Sequence, residues 1–353
     1  MNNVVLTISV LVALVLASIQ TAYPALTWNE QAGWSTEGGI LEEVIGGDIE
    51  AKNALGYMDV ARVAQEAGAY RKALRAYKKV VKIYSLTLFA PEALYQSGLI
   101  YKQTKKWQRA FQQFDRILKN YPDYEKYEDA VAEQYAIAQA LQGGVREKIF
   151  GVFPGFRNPE RAIEYYERLV ANAPYSQYAP DALMNAAKVA REHRNSIRAI
   201  DILERLISEY PDSLQVADAY IALAETIADL GKGPSYDQGL TREALSYYED
   251  YLTLYPGGEN VGLAEEMRAH LIETLAQSKY LLGDYYYIYR NDIQAALTFY
   301  NEAITVAPNS HSASKAEERI AWIENGNPAP EAPGTWLLGP PKRGLREYSH
   351  RDG

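Results

Sequence analysis

Five times along the chain an Ala is followed four residues later by a large apolar side chain and twelve residues later by a Pro. The copies are Ala110, Phe114 and Pro122; Ala162, Tyr166 and Pro174; Ala199, Leu203 and Pro211; Ala244, Tyr248 and Pro256; and Ala296, Tyr300 and Pro308. A sixth, Ala73 with Tyr77 and Tyr84, lacks the Pro. Positions seven and eight after the Ala are apolar in every copy, as in Val80 and Val81 or Leu206 and Ile207. Offsets of 4, 7 and 8 fall on one face of a helix, and Pro, with no N–H to give, marks where that helix stops. A second helix of similar character precedes each copy. Residues 91–104, for instance, carry Leu94, Gly98 and Tyr101 on one side, and Gly98 lies twelve residues before Ala110.

This spacing resembles the tetratricopeptide repeat, whose consensus puts a small residue and a Tyr in the first helix, an Ala and an aromatic in the second, and a Pro at the end. The expectation is an all-α tetratricopeptide superhelix of about six helical hairpins, at 49–86, 89–121, 125–173, 177–210, 214–255 and 259–307. Residues 311–324 would close the stack as a capping helix. Successive Pro residues are 52, 37, 45 and 52 apart, so some hairpins carry insertions, expected at 142–158 and 231–241. Residues 26–48, with Trp28, Trp34 and several Gly, read as an extended leader on the first repeat. From Asn325 to Gly353 the chain turns to Pro and Gly and reads as a disordered tail, in which Trp336, Leu337 and Leu338 are either a docking peptide or a remnant.

Val4 to Ile19 is predominantly apolar, and no charged side chain appears before Glu30. At about 1.5 Å per residue this run is shorter than a hydrocarbon core of roughly 30 Å. Residues 1–25 therefore read as an export signal, with an uncleaved membrane anchor or a buried helix as alternatives. The expected address is the periplasm, in association with the outer membrane. The chain has no cysteine, which excludes disulfide frameworks, thiolate zinc sites and Cys nucleophiles. A net charge of −9 opposes binding to a phosphate backbone, so nucleic acid is not an expected partner.

Signatures of chemistry are few. GxSxG, GxGxxG and GxxxxGK[ST] do not occur, and Gly231-Lys232-Gly233 reads as a turn. His270 and Glu273 have i, i+3 spacing, but no second ligand pair accompanies them, and Glu317-Glu318 reads as solvated charge. The expectation is a protein with no enzymatic activity, no cofactor and no metal. Repeat solenoids instead bind segments of other proteins along a face built from the first helix of each hairpin. In the tetratricopeptide pattern the face residues are Leu55, Met58, Arg62 and Gln65, then Glu92, Tyr95, Leu99 and Lys102. The Lys and Asn of a chaperone-type carboxylate clamp are not matched, and Tyr95, Leu99 and Lys102 are the candidate client groove. Tyr offers large contact area with few rotatable bonds, although most of the 29 Tyr are expected to pack between helices.

Residues 235–324 carry Tyr236-Asp237-Gln238, Leu254-Tyr255-Pro256, Leu275-Ala276, Tyr280, Asp284-Tyr285-Tyr286 and Ala295-Ala296. Earlier come Phe150-Gly151-Val152, Asn158-Pro159, Ala162 and Tyr175-Ser176-Gln177-Tyr178-Ala179. Together these resemble the BamD family, the tetratricopeptide component of the bacterial outer-membrane β-barrel assembly machine. The resemblance implies a periplasmic scaffold that contacts a barrel-inserting partner through its C-terminal repeats and receives unfolded barrel proteins on its N-terminal ones. It assigns Tyr236, Asp237, Gln238, Tyr280, Tyr285 and Tyr286 to the partner side. Phe150, Phe153 and Phe156 form an apolar cluster in the first insertion, as a docking lip or a cap on the hairpin. Family members are usually lipoproteins with five hairpins, whereas this chain has no Cys and six. A periplasmic adaptor for cell-division or cell-wall machinery is the alternative reading, and a hydrolase with an unrecognised site is a third.

Overall fold

The computed structural model of the chain describes residues 26–30, 33–36, 45, 48–145, 148–149, 153–154, 158–236 and 238–331. Two compact units divide it, Met1–His193 and Arg194–Gly353. Unit 1 opens with an antiparallel pair, β1 (Leu26–Asn29) and β2 (Gly33–Thr36). Helices α1 (Ile49–Glu66), α2 (Tyr70–Ile83), α3 (Phe89–Gln103), α4 (Trp107–Asn120) and α5 (Tyr127–Gln142) follow. A short antiparallel pair, β3 (Lys148–Ile149) and β4 (Phe153–Pro154), then leads to α6 (Pro159–Asn172) and α7 (Ala179–Glu192). Unit 2 contains α8 (Ser196–Glu209), α9 (Gln215–Gly231), α10 (Gln238–Leu254), α11 (Val261–Asp284), a π turn (Tyr285–Arg290), α12 (Ile293–Val306) and α13 (His311–Glu324). The thirteen α-helices among the described residues make this an all-α tetratricopeptide-repeat fold.

The repeat positions explain the packing. Ala73, Ala110, Ala162, Ala199, Ala244 and Ala296 are fully buried, and so are Tyr77, Phe114, Tyr166, Leu203, Tyr248 and Tyr300 four residues on. The small Ala lets the second helix approach its neighbours, and the large side chain fills the space between helices. In α3 the recipient is Gly98, where an added Cβ would lie 2.5 Å from Phe114 Cζ; in α11 it is Gly283, 2.5 Å from Tyr300 Cε1. A buried Tyr must also satisfy its hydroxyl. Tyr77 donates to Gln65 Oε1 at 2.8 Å, Tyr166 to Gln142 Oε1 at 2.6 Å and Tyr300 to Asp284 Oδ1 at 2.7 Å.

Local chemistry sets the ends. Each of the five Pro lies two residues past the last residue of α4, α6, α8, α10 or α12. Asn158, Asn195 and Asp292 cap the following helices by accepting from Arg161 N, Arg198 N and Ala295 N. The first insertion holds the β3–β4 pair, while the second is only a turn that ends α9 at Lys232, a residue at φ 51°. In the last hairpin the added length is carried by α11, 24 residues long, and its π continuation.

Within the expected leader, residues 26–29 and 33–36 pair as the antiparallel strands β1 and β2. The tail also begins later than Asn325, because Trp322 Nε1 donates to Pro328 O at 2.8 Å and Tyr287 Oη to Asn327 O at 3.0 Å. These carbonyls satisfy two aromatic donors, which draws the first tail residues onto α13 and the π turn. Residues 1–25 and 332–353 lie outside the described residues, so the signal or anchor and the rest of the tail are not placed. Among the described residues no helix is long and apolar enough to cross a membrane.

Gly98→Ala is expected to destabilise the chain by about 1–3 kcal/mol, since the fully buried Phe114 ring must yield to the new methyl group. Urea unfolding followed by helical circular dichroism measures it, and an unchanged midpoint would contradict the close approach.

Candidate functional site

In unit 1 the first helices of the first two hairpins, α1 and α3, carry the residues expected on the binding face, and α5 lies beside them. Met58 is fully buried, as is Glu92, so neither offers the exposed surface expected of it. Glu92 is covered because the link before α5 folds back over it. Tyr124 Oη donates a short hydrogen bond to Glu92 Oε2, and Lys126 Nζ reaches the same oxygen at 2.9 Å. Gln96 Nε2 supplies the other oxygen, Oε1, at 2.8 Å. A buried carboxylate needs such company, because removing an ion from water costs several kcal/mol unless its lone pairs are met.

The network runs on across the helices. Gln96 Oε1 accepts from Gln65 Nε2 at 3.0 Å and from an Arg62 guanidinium N–H at 3.3 Å, and Gln65 in turn accepts from Tyr77. Of the candidate groove residues, Tyr95 and Leu99 are half-buried; Tyr95 meets Phe114 edge-on at 5.7 Å and has the Lys126 ammonium 5.6 Å from its ring centroid. Lys102 pairs closely with Glu133 of α5. The tetratricopeptide spacing located Tyr95, Lys102, Arg62 and Gln65 but missed Gln96, Tyr124 and Lys126. Tyr124 and Lys126 stand in the connection after Pro122, where helical periodicity carries no information.

The β1–β2 hairpin sits on this face. Lys126 Nζ donates to the Leu26 carbonyl at 3.0 Å, so one ammonium holds both the buried carboxylate and the hairpin backbone. Arg62 lies 6.0 Å from the Trp28 ring centroid, and Trp28 meets Trp34 edge-on at 5.4 Å.

Unit 2 holds the residues assigned to the partner side. α11 is roughly 36 Å long and α10 roughly 26 Å at 1.5 Å per residue, so α11 overhangs its antiparallel neighbour. The overhang ends in the π turn, a distortion frequent at functional sites. Its wider winding points Tyr287 inward and leaves Tyr285 47% exposed, with rings at 5.5 Å to Tyr286 and 6.0 Å to Tyr289. Leu281, Leu282, Tyr289 and Ile293 are exposed on the same stretch. Tyr286 stacks on Phe299 at 5.3 Å, and Tyr280 packs against Tyr300 beside the Asp284–Arg319 pair, 3.2 Å apart. Tyr236 is 62% exposed, whereas the Gln238 amide donates to the Gly233, Pro234 and Tyr236 carbonyls and holds the turn together. Asp237, Phe150 and Phe156 lie outside the described residues, as does the Phe153 side chain. Glu273 of the His270 pair is engaged in accepting from Ser312 N and Oγ at the start of α13.

Three stretches of the chain match tetratricopeptide-repeat family models: residues 92–124, 155–213 and 276–310. Repeats of this class bind protein or peptide partners, and no catalytic family is indicated. No curated protein matches the chain in sequence. Among solved structures, MamA is similar at 20% identity, covering 58% of this chain and 93% of its own, with a TM-score of 0.29. YrrB, titled a TPR protein with an unusual peptide-binding site, is similar at 14% identity over 70% of this chain and all of its own, TM-score 0.29. PilW, titled a type IV pilus biogenesis factor, is similar at 16% identity over 75% and 98%, TM-score 0.28.

Burial pushes the Tyr95 hydroxyl up to about 12, with the Asp129, Glu133 and Glu92 carboxylates adding to it. Tyr124 is raised further, by burial first and then by Glu92. An unfolded Tyr titrates near 10, so between pH of about 10 and 12 the unfolded state binds fewer protons than the folded one and stability falls as pH rises. The urea midpoint is therefore expected to be level up to pH of about 9 and to drop by pH of about 11; a constant midpoint would contradict the buried hydroxyls. Separately, Lys126→Ala leaves the Glu92 charge without its cation and is expected to cost on the order of 3 kcal/mol in the same assay.

Proposed function

We propose that the chain is a non-enzymatic, exported scaffold of the BamD type that assists assembly of outer-membrane β-barrel proteins. Unit 1 receives extended client segments across Tyr95, Leu99 and Lys102, and unit 2 meets a barrel-assembly partner through the exposed π turn around Tyr285. The observation that carries this reading is the seating of β1–β2 on the α1–α3–α5 face. The surface that accepts this hairpin offers an ammonium to a backbone carbonyl and a guanidinium to an aromatic ring. Strands of outer-membrane barrels alternate apolar and polar residues and carry aromatic girdles, so they bring the same chemistry. Export rests on the apolar run Val4 to Ile19, and the partner side on the resemblance in residues 235–324 together with the exposed aromatic overhang.

The test is photo-crosslinking in native envelopes with a photoreactive residue at position 285 or 95, followed by mass spectrometry. A barrel-assembly protein captured from position 285 and unfolded barrel proteins from position 95 are the expected products. Capture of cell-division or cell-wall proteins alone would overturn the proposal in favour of an adaptor role.

A further inference from the structure

We propose that Leu26 to Thr36 is a built-in occupant of the unit 1 face, in competition with external segments of like chemistry, and that the face opens to a client only as this hairpin lifts away. The inference rests on reading that face as the client surface and adds the device that controls access to it.

The hairpin is two-faced. Its register pairs Leu26 with Thr36, Thr27 with Ser35, Trp28 with Trp34 and Asn29 with Gly33. Directly opposed residues share a face, so Leu26, Trp28, Trp34 and Thr36 stand together on one side and Thr27, Asn29 and Ser35 on the other. Leu26, Trp34 and Thr36 are buried, whereas Thr27 and Asn29 are exposed. Two strands of four residues do not hold together alone in water, so this segment owes its order to the surface beneath it.

That surface is the client face itself. Lys126 and Arg62, which both meet the hairpin, are members of the Glu92–Gln96–Gln65 network, and Lys126 lies beside Tyr95. A client seated there meets the same ammonium and the same guanidinium, so the two cannot be bound together.

The fit is also imperfect. The indole N–H groups of Trp28 and Trp34 are both buried without an acceptor among the described residues. Stranding a buried donor weakens binding. The tether compensates: residues 37–47 join the hairpin to Asp48, the cap of α1, which keeps its effective concentration near the face high. A segment supplied from outside lacks this advantage and displaces the hairpin by fitting better. The chemistry that does so is an extended polypeptide with aliphatic or Phe side chains at alternate positions, which fill the indole sites without a stranded N–H, and with a carbonyl for Lys126.

The experiment uses the full chain, unsubstituted and as Trp28→Ala with Trp34→Ala. The probe is a fluorescein-labelled peptide of residues 26–36 closed by a disulfide between added terminal cysteines, titrated by fluorescence anisotropy. Removing the intramolecular competitor is expected to tighten probe binding by about tenfold or more, the scale set by a tether of this kind. Equal affinity for the two chains, or no binding to either, overturns the inference. If the double variant loses helical circular dichroism, hydrogen exchange on the unsubstituted chain decides instead. Saturating probe is expected to deprotect the amides of the chain's own residues 26–36, distinguished from the probe by mass, and unchanged protection overturns the inference. The client reading fails separately, by absence of barrel proteins among products captured at position 95 in the double variant. An equal-affinity result leaves that reading standing.

Discussion

The close approach of two helices at a residue without a side chain is the constraint on which the hairpins depend. Phe114 of α4 lies where Gly98 would carry a Cβ, and Tyr300 of α11's partner α12 lies where Gly283 would. Each ring fills the space between helices and is fully buried there. Because the second helix is thereby fixed against the first, the side chains that flank the contact on the first helix are fixed too. Tyr95 lies three residues before Gly98 on α3, so the packing that buries Phe114 also sets the ring that meets it at 5.7 Å and lines the candidate face.

A second constraint is electrostatic. Glu92 has no exposed surface, and its charge is held by Tyr124 and Lys126 from the link before α5 and by Gln96 one turn further along α3. Such a network costs desolvation energy that a well-packed apolar cluster would not. Its consequence here is positional: Lys126 is drawn to the face and its remaining hydrogen-bonding capacity is turned outward, where the Leu26 carbonyl takes it. Packing, buried charge and the binding surface are thus successive layers of one arrangement. In unit 2 the parallel role falls to Asp284, which accepts from Tyr300 and Arg319 at the point where α11 changes to the π turn.

Much of the fold was legible because tetratricopeptide hairpins are specified locally. The Ala, the large side chain four residues on and the Pro at twelve each report a contact or an end within one hairpin, and the observed helices fall inside the expected spans. The candidate face was legible only where it coincides with that periodicity, at Tyr95, Lys102, Arg62 and Gln65. Met58 and Glu92 have groove-facing spacing yet are buried, since spacing gives the direction of a side chain and not what covers it. Gln238 looked like a contact residue in Tyr236-Asp237-Gln238 but spends its amide on three backbone carbonyls of its own turn.

The sequence by itself determined the class of fold, the number of hairpins and where five of the second helices end, because helical periodicity and the loss of a donor at Pro act over a dozen residues. Only the tertiary structure decided that Lys126, 100 residues from Leu26, holds that residue's carbonyl, that the leader is a hairpin with one buried face, and that α11 overhangs in a π turn. Those features come from contacts between segments distant in the chain, whose energies depend on burial and on which partner is near. No local pattern encodes either quantity.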